Sequence, residues 1–167
     1  MLLTSLLDSD KDKVLPEYND LEISGISDDS RNILPGMLFI AVPGNKHNGE
    51  EYIENALSRG AKAILCNKSV TEKIKNSHVP FISVSNPRRY LSRVAAKFYN
   101  GQPALAVAIT GTNGKTSTVH FLSHIWKACG LNIGTIGTLG IINGTSVKKT
   151  NLTTPGAIEL HKTLNYF

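Results

Sequence analysis

The chain of 167 residues lacks any run of about 18 apolar residues, so no helix in it is expected to cross a membrane. Its start, MLLTSLLDSD, has no basic residue ahead of the short apolar stretch, and Asp8 cuts that stretch off. This is not the pattern of a secretory signal, and the expected location is the cytosol. Cysteine is scarce. Cys66 and Cys129 are the only two, with no C-x-x-C spacing. That argues against a disulfide framework or a thiolate metal site and favours two buried, reduced thiols. Long basic runs are missing too. The net charge is +5, but the basic residues are scattered, with short clusters such as Arg88-Arg89 and Lys148-Lys149. A nucleic-acid partner is therefore not expected, whereas a mild positive balance suits an enzyme handling phosphate-bearing substrates. Repeats and low-complexity tracts are absent.

What is present reads as α/β in two parts, 1–100 and 101–167. In the first part, LEISGI (Leu21 to Ile26) reads as a strand. Pro35-Gly36 is a turn, and MLFIAV (Met37 to Val42) is a continuous apolar run typical of a buried strand. Residues 50–59 read as a helix with Ile53, Ala56 and Leu57 on one side and Gly60 as its stop. AILC (Ala63 to Cys66) and VPFISV (Val79 to Val84) are strand-like, with a weak helix at Val70 to Lys75 between them. Asn86 then caps a helix, Pro87 takes its first position, Leu91, Val94, Ala95 and Phe98 form its apolar stripe, and Gly101 closes it.

The second part opens with ALAVAIT (Ala104 to Thr110), a mostly apolar strand, followed at once by GTNGKTS (Gly111 to Ser117). Val119, Leu122, Trp126 and Cys129 then recur at helical spacing up to Gly130. LNIGTIGT can form another strand, Asn143-Gly144 is a hairpin signal, and Thr154-Pro155 starts a last helix with Leu160, Leu164 and Phe167 on one face.

The strand–glycine loop–helix order is what phosphate binding needs. Several backbone N–H groups at a helix N-terminus converge on one anion, with the positive end of the helix dipole behind them. Gly111 and Gly114 let the backbone approach closely, with Thr112 and Asn113 between them. Lys115 adds a point charge for the β- and γ-phosphates, and the Thr116 hydroxyl is placed to ligate Mg²⁺. The match is to a shortened pattern, G-x-x-G-K-T, because Ile109 stands where the longer form has glycine. His120 and His124, four apart on the following helix, have the spacing of a metal pair, but the glutamate of H-E-x-x-H is missing; surface histidines are the expected reading, and Trp126 is expected in the core.

The TGTNGKTS segment resembles the nucleotide loop of the Mur ligases, ATP-dependent amide-forming enzymes of peptidoglycan synthesis. Asp29-Ser30-Arg31, Pro35 to Gly44, Gly49, Tyr52-Ile53 and Gly60-Ala61 resemble the UDP-sugar-binding domain shared by the MurE and MurF types. Asn86-Pro87-Arg88 and Thr153-Thr154-Pro155 are similar to the MurE type. The resemblance implies a UDP-muramoyl-binding α/β domain over 1–100, followed by the start of a P-loop central domain over 101–167. It implies ATP and Mg²⁺ as cofactors. It also implies addition of a third amino acid, diaminopimelate or lysine, to UDP-N-acetylmuramoyl-L-alanyl-D-glutamate through an acyl phosphate. Carried over residue by residue, Gly111 to Ser117 would hold ATP, with Lys115 and Thr116 in catalytic roles and Thr116 on the metal. Ser30, Arg31 and the segment Asn45, Lys46 and His47 would meet the UDP-muramoyl part. Asn151, Thr153 and Thr154 would meet the peptide-bearing end. Asn45 and Asn48 depart from the commoner H-x-x-D-G there. The family's later metal-assisting residues and its amino-acid-binding domain have no counterpart in these residues, so the expectation is an N-terminal portion, inactive alone. A non-catalytic nucleotide-sugar-binding module and a folylpolyglutamate-synthase-like ligase are the competing readings.

Overall fold

The computed structural model describes residues 1–7, 16–44, 48–71, 78–150 and 152–167. The chain divides into two compact units, Met1–Tyr99 and Asn100–Phe167.

In the first unit a short helix α1 (Leu3–Leu6) precedes a four-stranded parallel sheet. Its strands are β1 (Gly25–Ser27), β2 (Met37–Ile40), β3 (Ala63–Asn67) and β4 (Phe81–Val84), paired in that order. Between them lie α2 (Ile53–Ser58) and α3 (Lys68–Thr71), and α4 (Pro87–Phe98) follows the last strand. Strand positions alternate between the two faces of the sheet. Phe39, Ala41, Ile64 and Cys66 meet Ile33, Ile53 and Ala56 in one core cluster. Leu38, Ile40 and Leu65 point the other way and are also fully buried. On α4, Leu91, Val94 and Ala95 are buried, and the helix contacts β1, β3 and α1.

Several local signals act as the sequence indicates. Asn86 Oδ1 accepts from the Arg89 amide at 3.0 Å, with Pro87 in the first turn. Gly60, at φ 89°, ends α2 and its N–H bonds the Leu57 carbonyl. Other boundaries move. Residues 21–24 do not continue β1: Leu3 N–H bonds the Leu21 carbonyl and Ile23 N–H bonds the Met1 carbonyl, so the first half of LEISGI pairs with the chain's opening residues. The helix read at 50–59 begins as a 3₁₀ turn, Gly49–Tyr52, with Asn48 accepting from the Glu50 amide. The last helix of the unit ends at Phe98, and Gly101 instead donates to Asn165 Oδ1 in the second unit.

The second unit contains α5 (Lys115–Ala128), an antiparallel sheet of β5 (Gly134–Gly137), β6 (Gly140–Asn143) and β7 (Ser146–Lys148), and α6 (Ala157–Tyr166). The hairpin falls where Asn143-Gly144 predicts it, with Gly144 at φ 59° and Asn143 paired to Ser146. Thr145 has no positive φ, so the turn is of the glycine-first kind. The strand expected over Ala104 to Thr110 does not form, and Leu105 and Val107 stay 64% and 54% exposed. An apolar run records a need for burial, but a strand also needs a neighbour for its N–H and C=O groups. Among the described residues, β5, β6 and β7 pair only with one another. The last helix starts at Ala157 after Gly156, not at Thr154-Pro155. No residue of α5 is fully buried: Val119, Leu122 and Trp126 are half-buried, and Cys129, expected inside, is exposed.

Candidate functional site

Parallel strands place their carboxyl ends at one edge, which is where ligands enter open α/β sheets. In the first unit Asp28 to Arg31 follow β1, Ala41 onward follows β2, and Asn86 to Arg88 follow β4. Asp29 organises the first of these turns. Its carboxylate accepts from the Arg31 amide at 3.0 Å and from Arg31 Nε and Nη2 at 2.9 and 2.7 Å. That bond with the guanidinium holds its carboxyl below the ordinary range. Ser27 Oγ donates to the Asp29 carbonyl at 2.9 Å and accepts from its amide at 3.0 Å. Ser30 is consequently buried, while the Arg31 side chain stands out at the surface.

Arg88 Nη2 donates to the Pro43 carbonyl at 3.0 Å, joining the β4 turn to the β2 turn. Asp28 sits beside this group; burial raises its carboxyl, and a backbone hydrogen bond and, less, the Arg88 charge partly offset the rise. The sequence singles out Asp29, Ser30 and Arg31 but not Asp28; a second acid before Asp29 was the available signal. Asn45, Lys46 and His47, expected at this edge, lie outside the described residues.

In the second unit α5 begins directly after Gly114, which takes φ 78°, and no side chain caps that end. The first amides of the helix are therefore left without the side-chain acceptor that usually satisfies them. Gly111, at φ 145°, turns the chain into the loop. Lys115 Nζ folds back to donate to the Gly111 and Thr112 carbonyls, the latter at 3.3 Å. Thr118 Oγ1 donates to the Gly114 carbonyl at 2.9 Å, bracing the first turn. Thr112, Asn113, Thr116 and Ser117 are exposed.

Beside this loop lies a cavity of about 450 Å³, bordered by Lys115, Thr116, Thr138, Thr153 and Thr154 and by one side of α5 as far as Lys127. Thr116 Oγ1 donates to Thr138 Oγ1 at 3.4 Å. Thr138 follows β5 directly, and sequence reasoning missed it; the small residues closing GTIGT were the signal. Thr153 and Thr154 come to the same cavity as Lys115 and Thr116, and Asn151 lies outside the described residues. The described wall carries Lys115, His120, His124 and Lys127 and no carboxylate. Such a surface attracts an anion. Ser30 and Arg31 belong to the first unit and do not take part in this cavity.

A parallel α/β unit with an arginine-and-serine turn at the carboxyl edge of its strands, and a second unit opening on a glycine–lysine–threonine helix start, together define a class. Residues 22–99 match the Mur ligase family, catalytic domain, and residues 109–167 match the Mur ligase middle domain. The chain belongs to the Mur ligase family.

It is 42% identical over 144 residues to the UDP-N-acetylmuramoyl-L-alanyl-D-glutamate--2,6-diaminopimelate ligase of Rhizobium meliloti (strain 1021), covering 86% of this chain and 29% of that protein. Against the same-named ligase of Bradyrhizobium diazoefficiens the identity is 39% over 165 residues, 99% of this chain and 33% of that protein. A solved structure of a UDP-N-acetylmuramoyl-L-alanyl-D-glutamate--2,6-diaminopimelate ligase superposes with a TM-score of 0.72 at 22% identity, over 92% of this chain and 31% of that one. That likeness is one of fold. The chain thus spans about 30% of the length of the relatives it matches.

Proposed function

We propose that this chain carries the nucleotide-sugar-binding and ATP-phosphate-binding parts of an ATP-dependent ligase that adds diaminopimelate to UDP-N-acetylmuramoyl-L-alanyl-D-glutamate. The observation that carries the reading is the uncapped start of α5 at GTNGKTS, opening beside a cavity that also contains Thr153 and Thr154. The choice of diaminopimelate rests on the names of the relatives.

A carboxylate is a poor acyl donor, and phosphoryl transfer from ATP supplies the activation. In this reading the amides of Gly114 to Ser117 and the α5 dipole bind the phosphates. Lys115 leaves its two loop carbonyls and offsets charge on the transferring group. Thr153 and Thr154 position the peptide-bearing end of the substrate. In the first unit Ser30 and Arg31 receive the UDP-muramoyl part, Arg31 being kept in place by Asp29. Asn45, Lys46 and His47 belong with Ser30 and Arg31 in this assignment, and Asn151 with Thr153 and Thr154.

Mg²⁺ fits as an ion that arrives with the nucleotide. Thr116 offers one exposed hydroxyl, and among the described residues no group of three histidine, cysteine or acidic side chains could hold a metal ion. Thr116 would help hold such an ion beside the phosphates, and the ion would supply positive charge against the transferring phosphoryl group.

Calorimetry with UDP-N-acetylmuramoyl-L-alanyl-D-glutamate tests the reading. Saturable binding by the 167-residue chain, weakened about tenfold or more by Arg31→Ala, is expected. Absence of binding, or binding indifferent to that change, contradicts it.

A further inference from the structure

His120 and His124 stand one turn apart on α5. Their ring centres are 4.2 Å apart, with 55° between the ring planes. Both side chains are exposed and both border the cavity of the second unit. His124 Nδ1 lies 2.9 Å from the carbonyl oxygen of His120. A carbonyl only accepts, so this is a hydrogen bond when Nδ1 carries the proton, which leaves the lone pair on Nε2. A backbone-anchored Nδ1–H with a free Nε2 is how proteins orient an imidazole that binds a metal. Ser123 Oγ donates to the same carbonyl at 2.7 Å and helps fix the acceptor.

The geometry points to a two-histidine site for a divalent transition metal on His120 and His124, apart from the phosphate loop and independent of the ligase reading. Two nitrogens that share an ion at about 2.0–2.1 Å each stand no more than about 4.2 Å apart, and rings whose centres are 4.2 Å apart can each turn one nitrogen to such a separation. Imidazole selects zinc, nickel and copper over magnesium. The site also differs from Thr116 in position, since His120 lies four residues further along α5, about 6 Å down the helix axis. Among the described residues no further histidine, cysteine or acidic group completes a set of three. Water, or an oxygen of whatever occupies the cavity, takes the remaining positions. Lys115 and Lys127, on the same wall, oppose a cation and keep the site one of modest affinity, so the imidazole nitrogens and not the field of the wall supply the binding.

The experiment is a Zn²⁺ titration of the ¹⁵N-labelled 167-residue chain, followed through the histidine ring nitrogens. The expected result is that His120 and His124 shift together and saturate at one equivalent, while His78 and His161 do not move with them. His120→Gln and His124→Gln each weaken binding by about tenfold or more, and excess Mg²⁺ does not displace the zinc. Circular dichroism checks that the variants fold; one that loses helix is replaced by the Asn substitution at the same position, judged by the same criterion. An affinity within about twofold of wild type in either variant, independent titration of the two rings, or displacement by Mg²⁺ overturns the site.

Discussion

In the first unit Phe39, Ile64 and Cys66 are wholly enclosed, whereas in the second Phe121 and Ile125 are 66% and 60% exposed. Among the described residues, every buried apolar side chain except Ile141 belongs to the first unit. The two main helices make the same contrast. α4 and α5 both carry apolar residues at helical spacing, yet α4 buries Leu91, Val94 and Ala95 and α5 buries nothing completely. A four-stranded parallel sheet lies under α4, and it offers a full apolar face. The three short antiparallel strands of the second unit cover only part of α5. Amphipathic pattern therefore states what a helix can bury; the surface beside it decides what it does bury.

The largest expected difference between the units is in their two thiols. Burial pushes the Cys66 thiol up to about 12, while Cys129 sits exposed after α5. Thiol-specific labelling under native conditions is expected to modify Cys129 about a hundredfold or more faster than Cys66, because the thiolate is the reactive form and must be reached. Comparable rates would mean that the first core opens as readily as the second unit. Core truncation comes next. Phe39→Ala is expected to cost about 3–5 kcal/mol in denaturant unfolding, and Phe121→Ala less than about 1 kcal/mol. Equal losses would remove the contrast.

The smallest effect concerns acid at the carboxyl edge of the first unit's sheet. Asp29 has a lowered carboxyl, so its contribution is complete above the ordinary carboxylate range and is lost as pH falls through that range to the lowered folded value. Asp28, raised by burial, works in the opposite sense: its contribution is present in acid and disappears as pH rises through its folded value. Asp29→Asn should lower stability at neutral pH by less than about 1 kcal/mol and converge with wild type in acid. Asp28→Asn should be neutral or stabilising at pH 7. Unfolding curves at pH 3 and pH 7 check both.

Much of this was legible in the residues. MLFIAV and AILC gave buried strands because a parallel sheet covered on both faces needs continuous apolar runs. Asn86-Pro87 and Gly60 marked helix ends because caps act locally. GTNGKTS pointed to a glycine turn and a helix start, and α5 begins at Lys115 after Gly114 in the left-handed region. What was not legible depended on distant chain. LEISGI was divided by pairing with residues 1–3, and ALAVAIT read as a strand though nothing described pairs with it. Thr138 reaches Thr116 through the path of the chain after α5, which no local pattern encodes, and the burial expected of Cys129 failed for want of a covering surface.

The central claim is that the open N-terminus of α5 holds the phosphates of a nucleotide, and amide chemical shifts test it most directly. On titration with Mg²⁺-ATP, the amides of Gly111 to Ser117 should shift in a saturable way and more than any in the first unit's sheet. Lys115→Ala should reduce the affinity about tenfold or more without unfolding either unit. Loop amides that do not respond to ATP, or that respond equally in Lys115→Ala, would contradict the account.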